Sequence, residues 1–385
     1  MESTTPETPA ETRAPEAALP PARLVVRSIG SASFSIVAAL RQISPLSEQV
    51  LAERLFRAPS ELFTDVPRDT AEKAAEVLRK AGLEVDVLAE GDAFTPGEGV
   101  FDVALLLSDF SRMPEVAREV IRLLGVDART ARQMLCASPT ILVGAVSSAT
   151  VEAVRRRFAP LGVDLAVSRP AESTFDVLIG DCAPTVRARL LATLEGAGVP
   201  MAQLAGDHAP EELIVAAGLK KSAAEQIWDQ FGRKNPALRI LDRAFERYDI
   251  RLDACPRSAA AGLVALTGMP EKVAQKVLDR LPVVIQQNLT YDQARESLER
   301  LATLGAKATL ELQTLQAFSV VIEAVPDRQK AAQRIRALLD LTEEQADALV
   351  RSPPAQIEGP LTLTHARWLQ AELKAVGATA KLVRK

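Results

Sequence analysis

Apolar and polar residues along the chain recur in one phrase, which alternates at first and then runs apolar. It reads "FDVALLL" from Phe101, "FDVLIGD" from Phe175, "YDIRLDA" from Tyr248 and "FSVVIEA" from Phe318, with a weaker version, "LVVRSIG", from Leu24. This pattern is typical of a strand that is covered on at least one face. The five phrases begin 70 to 77 residues apart. The chain is therefore predicted to repeat one small unit five times.

The second copy shows the order of elements within the unit. The stretch "MPEVAREVIRLLG" places Val116, Val120 and Leu124 on one helical face, and Gly125 is suited to end that helix. A second short helix, "VDARTARQMLCASP", precedes a strand, "ILVGAV", a third helix, "SSATVEAVRRRFAPLG", and a last strand, "VDLAVS". The predicted order is strand, helix, helix, strand, helix, strand, so we expect the α+β fold class.

Proline and glycine recur at matched points of the copies. The prolines precede the middle strand, and they are Pro59, Pro139, Pro210, Pro282 and either Pro353 or Pro354. The glycines follow the third helix, and they are Gly82, Gly162, Gly232, Gly305 and Gly377. Five glycines at one matched point predict a turn with positive φ, which costs glycine less than other residues. Side-chain caps for the third helix are predicted at Ser147, Thr290 and Thr362, with Gln293 completing a capping box at Thr290.

The repeats set the expected boundaries along the chain. We expect a disordered tail over 1–22 and five small domains, named units 1 to 5, at 23–88, 100–168, 174–242, 247–312 and 317–385. Unit 3 is the most divergent and has no clear cap at the matched helix. The link between units 4 and 5, "QTLQA", spans at most about 17 Å, so neighbouring units must nearly touch. We therefore expect the later units to form a semi-rigid rod, with a more mobile unit 1.

Composition argues against several classes of protein. Hydrophobic residues are 48%, charged residues 25% and aromatic residues 4% of the 385 positions, as in a soluble protein with aliphatic cores. The net charge is −4, so no broad positive field favours nucleic acid or an anionic membrane. The first residues, "MESTTPETPAETRAPEAALPPA", lack a signal-peptide pattern, and no run approaches the roughly 20 apolar residues of a membrane span. We expect a cytoplasmic protein without nucleic-acid binding or membrane insertion.

Few residues are candidates for chemistry. Three cysteines, far apart in the sequence, fit neither a disulfide framework nor a zinc site: Cys136, Cys182 and Cys255. His208, beside an aspartate, and His365 are each more typical of surface or packing positions than of a catalytic base. The basic stretch "VRRRF", residues 154–158, is more typical of a solvated helix face than of a nucleic-acid site. We expect no catalytic residue, cofactor or metal.

The units resemble the C-terminal domain of the bacterial ribosomal large-subunit stalk protein, called L-seven/L-twelve. Unit 4 matches best, through "YDIRLDA", "LTGMPEKVAQKVLDRLP" and "LTYDQARESLERLATLGAKATLEL", and unit 5 follows. The resemblance covers about residues 24–385 in five copies and implies a tandem array of β-α-α-β-α-β domains. In that family, lysines at the corner between the first two helices recruit translation factors.

The corners of this chain vary while the core phrases repeat. Unit 4 keeps Lys272 and Lys276, whereas unit 2 has Asp127 and unit 5 has Glu343 and Glu344. We expect a non-enzymatic scaffold or adaptor that binds protein partners, with these five residues as candidate contacts.

Three alternatives stay open at this point. The Clp protease adaptor ClpS shares this general fold and binds the N-terminal residue of a target chain, but its acidic pocket motif is not evident here. An enzyme built on one unit would need a convergent set of acid, base and nucleophile, which the sequence does not show. A translation-linked protein would keep only the factor-binding face of unit 4.

Overall fold

The protein is built from small antiparallel sheets and the helices that cover them. The computed structural model describes residues 21–180, 182–201 and 213–384. Within these ranges there are five sheets of three strands each, and in every sheet the first strand of the unit lies in the middle. The α+β class predicted from the sequence is confirmed. The apolar phrase recurs because it forms the central strand, which has a neighbour on both edges.

Units 1 and 2 contain all six expected elements. Those of unit 1 are β1 (Ala22–Ser28), α1 (Ile36–Ile43), α2 (Glu48–Phe56), β2 (Ser60–Val66), α3 (Arg68–Lys80) and β3 (Glu84–Ala89). Those of unit 2 are β4 (Phe101–Leu106), α4 (Met113–Leu124), α5 (Ala128–Cys136), β5 (Thr140–Val146), α6 (Ser148–Phe158) and β6 (Asp164–Ser168). The first strand begins at Ala22, which is buried, one residue before the expected start of unit 1.

Units 4 and 5 also show the full order. Those of unit 4 are β10 (Tyr248–Ala254), α9 (Ala260–Thr267), α10 (Glu271–Leu278), β11 (Val283–Leu289), α11 (Tyr291–Thr303) and β12 (Lys307–Leu312). Those of unit 5 are β13 (Phe318–Ala324), α12 (Arg328–Leu339), α13 (Glu343–Arg351), β14 (Ala355–Leu361), α14 (Leu363–Ala375) and β15 (Thr379–Arg384).

Unit 3 is described in part. Its elements are β7 (Thr174–Ile179), α7 (Pro184–Gly196), β8 (Leu213–Lys220), α8 (Lys221–Gln230) and β9 (Leu238–Asp242). The second part of its expected corner, with His208 and Pro210, lies outside the described residues, as do residues 1–20 of the expected tail.

The third helix begins at the predicted caps in units 2, 4 and 5. The hydroxyls of Ser147 and Thr362 each accept a hydrogen bond from the amide three residues further on. Thr290 accepts from the amide of Gln293 at 3.4 Å, and the Gln293 side chain accepts from the Thr290 amide at 3.0 Å. The capping box is therefore confirmed, and α8 of unit 3 starts without a side-chain cap, as expected.

The turn glycines follow the prediction in four units and depart from it in unit 3. Gly82, Gly162, Gly305 and Gly377 have φ values of 98°, 70°, 71° and 79°. The prediction for Gly232 is wrong, because its φ is not positive. A Cβ atom at Gly232 would lie 2.2 Å from the Trp228 ring, so this position needs glycine for close packing.

Replacing Gly305 by valine should lower the free energy of unfolding by about 1 kcal/mol or more, because a β-branched residue resists positive φ. The nearest atom to a Cβ there is in Pro256 at 3.6 Å, so the cost comes from the backbone and not from a clash. Urea unfolding measures the effect. Glu299→Ala, at an exposed site on the preceding helix, should cost less than about half as much. Equal midpoints for the two variants would show that the turn does not need glycine.

A kink in the second strand of each unit explains the aspartate of the repeated phrase. One residue near the end of that strand has positive φ, and the register against the first strand shifts beside it: Asp65, Ala145, Gly218, Asn288 and Gly359. In units 2 to 4 its N–H donates to the aspartate of the phrase: to Asp102 at 2.8 Å, to Asp176 at 2.7 Å and to Asp249 at 3.1 Å. The aspartate therefore fixes a β-bulge, which is a structural role.

Unit 5 packs against unit 2, although they are distant in sequence. The Thr362 hydroxyl donates to the carbonyl of Cys136 at 2.6 Å, and the Arg132 guanidinium pairs with Asp340. One apolar core cluster contains residues of units 1, 2 and 5. The expectation that the later units form a rod is therefore wrong, because unit 5 lies against unit 2.

Unit 1 is fastened to unit 2. Arg157 of α6, which pairs with Glu119 of its own unit at 2.6 Å, donates to the carbonyl of Ala32 in unit 1 at 2.8 Å. The amide of Phe34 donates to the carbonyl of Leu123 at 2.7 Å. Polar and apolar contacts therefore join unit 1 to unit 2, and the greater mobility expected for unit 1 stays a prediction.

Candidate functional site

The corners between the first two helices of units 2 and 5 meet other parts of the chain. A Cβ atom at Gly125, the corner of unit 2, would lie 2.9 Å from Ser35 of unit 1. Asp340, the corner of unit 5, pairs with Arg132 and lies 3.5 Å from Arg129, both on α5 of unit 2. Intramolecular packing therefore engages both corners.

The corner of unit 4 is built from its own residues. Helix α9 ends at Gly268, whose φ is 69° and whose amide donates to the carbonyl of Val264 at 2.8 Å. The carbonyl of Pro270 then accepts from the amide of Val273 at 2.8 Å and starts α10. The core beneath consists of unit 4 residues, among them Leu263 and Ala274. Both Gly268 and Pro270 are exposed, so this corner is open to solvent.

Lys272 and Lys276 lie on the outer face of α10. Both are exposed, and among the described residues neither is paired with a carboxylate; the ion pairs of the unit 4 helices are made by arginines. Val273, which is 44% exposed, lies with them in an arc of about 100° around the helix. We call Lys272, Val273 and Lys276 the α10 patch, which is an exposed valine beside two positive charges that have no carboxylate partner in the described part of the chain.

The acidic corner residues support their own helices. Asp127 caps α5 by accepting from the amide of Thr130 at 2.7 Å, and this hydrogen bond holds the pKa of Asp127 below its ordinary value. Glu343 and Glu344 lie in the first turn of α13, where negative charge is stabilising, and Glu343 pairs with Arg336 at 3.2 Å. These three residues have structural explanations and lie in other units than the α10 patch. Their part in partner binding stays a prediction.

The "VRRRF" stretch does not form a free basic surface. Each of its three arginines pairs with a glutamate: Arg155 with Glu152, Arg156 with Glu84 and Arg157 with Glu119. Only 10% of the Arg157 side chain is exposed, so the expectation of a solvated helix face is wrong at this residue. The stretch contributes to the contact between units 1 and 2.

Cys136 and His365 line a groove of about 900 Å³ between α5 and unit 5. Burial raises the pKa of the Cys136 thiol to about 12, so it is a weak nucleophile at neutral pH. Burial also lowers the pKa of His365, whose Nε2 lies 3.2 Å from the carbonyl of Leu338. This contact fits the packing role predicted for His365. In the described part of the chain, no group of three His, Cys, Asp or Glu side chains could hold a metal ion.

The α10 patch differs from the other candidates because, among the residues that the structure describes, its charges have no carboxylate partner and its side chains are exposed. The spacing of the two lysines was visible in the sequence, but the exposure of Val273 beside them was not. None of the helices described here is long and apolar enough to cross a membrane. No protein-family model, curated protein or solved structure matches this chain.

Proposed function

We propose that this protein is a non-enzymatic scaffold that binds an acidic protein partner through the α10 patch. The observation that carries the proposal is the pair of exposed lysines, without carboxylate partners among the described residues, beside an exposed valine. The corners of units 2 and 5 are engaged within the chain, whereas this corner is open.

Charge supports the choice of an acidic partner. The whole chain has a net charge of −4, so the α10 patch is a local positive site on a weakly negative protein. Positive residues at the rim of a contact act mainly on the rate of association, and salt screens them. Val273 adds exposed apolar surface beside the two charges.

The repeated architecture supports a scaffold. In this proposal the units are stalk-protein-like domains, and the order β-α-α-β-α-β, which units 1, 2, 4 and 5 have in full, supports that resemblance. Units 1, 2 and 5 share one apolar core, which provides a stable platform beside unit 4. Because the residues at the corners between the first two helices differ from unit to unit, a partner can bind to the corner of unit 4 alone.

Replacing Lys272 and Lys276 by glutamate should reduce capture of the partner from host lysate by about tenfold or more at low salt. The melting temperature should stay the same, because neither ammonium makes an ion pair in the described chain. Quantitative mass spectrometry of proteins that co-purify with the tagged chain measures the effect.

The matched control is Lys234→Glu with Lys307→Glu. Both residues are exposed, neither lies on α9 or α10, and the change in net charge is the same. If the control loses the same proteins to the same extent, general charge and not the α10 patch governs the contact. Unchanged capture by the Lys272/Lys276 variant would contradict the proposal.

A further inference from the structure

The junction between units 3 and 4 contains a fully buried carboxylic acid. Glu246 follows a 3₁₀ turn, Arg243–Phe245, and is 0% exposed. Its Oε2 accepts a hydrogen bond from the Tyr248 hydroxyl at 2.5 Å. Its Oε1 has no hydrogen-bond partner among the described residues. A buried carboxylate with one neutral donor is poorly stabilised in its charged form.

Ionisable groups approach this carboxyl from the elements packed around it. They are Asp176 on β7, Asp242 on β9, Arg243 in the turn and Tyr248 on β10. Arg247 lies next to Glu246 in the chain, and the Tyr291 ring on α11 lies 5.9 Å from that of Tyr248. Three carboxylates therefore share one buried region with two arginines.

The carboxylates of Asp176 and Asp242 each accept more than one hydrogen bond. Asp176 accepts from Nε of Arg243 at 2.8 Å and from the amide of Gly218 at 2.7 Å. Asp242 accepts from three donors: the hydroxyls of Ser168 and Ser173 and the amide of Ala244. Each of them accepts more hydrogen bonds than Glu246 does.

The second arginine does not compensate Glu246. The Arg247 guanidinium donates to the backbone carbonyls of Ala244 and Glu246, at 3.0 and 2.7 Å. It therefore offers the Glu246 side chain no hydrogen bond. The charged form of the Glu246 side chain therefore has one neutral donor, the Tyr248 hydroxyl, among the described residues.

We propose that Glu246 is a proton-dependent latch, which keeps units 3 and 4 together when it is protonated and loosens their junction when it is ionised. Burial, followed by the negative charge of Asp176, raises the pKa of Glu246 from 4.5 to about 7. Because the pKa of Glu246 is raised in the folded chain, the stability that its proton adds to the junction is fully present below the ordinary pKa of 4.5. This stability is lost as the pH rises through about 7. The junction is therefore tighter in mildly acidic than in mildly alkaline solution.

This inference goes beyond the proposed binding function and does not depend on it. The affected contact is the apolar cluster in which Leu178 and Leu241 of unit 3 pack with Tyr248 and Leu312 of unit 4. The amide of Gln313, next to Leu312, donates to the carbonyl of Arg247, next to Glu246, at 2.8 Å and reports on this end of unit 4. Loosening this contact changes how unit 4, which carries the α10 patch, is held against unit 3.

The two tyrosines of the chain report directly on this site. Tyr248 and Tyr291 are the only tyrosines in the sequence, and their rings are 5.9 Å apart at the junction. Labelling the hydroxyl-bearing ring carbon with ¹³C gives two NMR signals, which Tyr291→Phe assigns. The Tyr248 signal of the full chain should titrate with a midpoint near pH 7. It should stay constant in Glu246→Gln between about pH 5.5 and 8.5.

Amide hydrogen exchange tests the loosening itself. After correction for the intrinsic rate, the opening constant at Gln313 should rise about tenfold between about pH 6 and 8 in the wild type and stay flat in Glu246→Gln. Tyr248→Phe removes the hydrogen bond that lowers the pKa of Glu246. In this variant the pH-dependent rise of the opening constant should therefore occur at a higher pH. A wild-type chain without a tyrosine titration or without the pH-dependent opening would overturn the proposal, and so would equal titration in Glu246→Gln.

Discussion

Asp176→Ala is expected to destabilise the protein by about 3–5 kcal/mol, because it removes one partner of a buried ion pair. Asp176 is 1% exposed and accepts hydrogen bonds from Arg243 and from the bulge amide of Gly218. Its loss leaves a guanidinium, whose side chain is 19% exposed, and a backbone N–H without their acceptor. Urea unfolding followed by circular dichroism measures the change.

Asp102→Ala is the matched control, at the same position of unit 2. Asp102 accepts from the bulge amide of Ala145 at 2.8 Å, but it is part-exposed and has no arginine partner in the described residues. Its removal should cost about 1 kcal/mol, the value of one hydrogen bond. If the two variants lost equal stability, the buried pair in unit 3 would not be the reason for the larger effect.

Phe245→Ala is expected to cost about 3–5 kcal/mol, because it leaves a cavity in a contact between units. Phe245 is 4% exposed and packs with Ala104 and Ala166 of unit 2. These two alanines lie on the face of the unit 2 sheet that the helices of unit 2 do not cover. Thermal unfolding of the full chain measures the loss.

The comparison for Phe245 is Phe94→Ala. Phe94 is part-exposed and lies 5.9 and 6.0 Å from the guanidinium carbons of Arg23 and Arg27. Because its ring is not enclosed, its removal should cost less than about half as much. A Phe245 effect no larger than that of Phe94 would mean that the turn does not anchor the second sheet.

Local features of the fold were predictable from the sequence because local chemistry determines them. A hydroxyl residue three positions before a glutamine identifies the capping box at Thr290. The apolar phrase marks the central strands, since those strands are the most enclosed. The aspartate of the phrase was equally visible, but its role depends on the bulge opposite, which no spacing rule indicates.

Features that depend on packing between units were not predictable. Nothing near Asp340 shows that it meets Arg132 of unit 2, more than 200 residues earlier in the chain. Glu246 stands in "RAFERYD", which reads as a polar link, yet it is fully buried. The lysines of the α10 patch were predicted from a resemblance, and their lack of ion pairs within the described residues depends on how the unit 4 helices pack.

The most direct test of the binding proposal is site-specific photo-crosslinking in the host cell. Three apolar residues are almost equally exposed, Val273 at 44%, Ile141 at 48% and Val383 at 44%, and each can be replaced by benzoylphenylalanine. The binding proposal predicts one discrete protein adduct from position 273. This adduct should be lost when Lys272 and Lys276 are also changed to glutamate. The same protein should give no adduct from the other two positions. The same adduct from all three positions, or none from position 273, would contradict it.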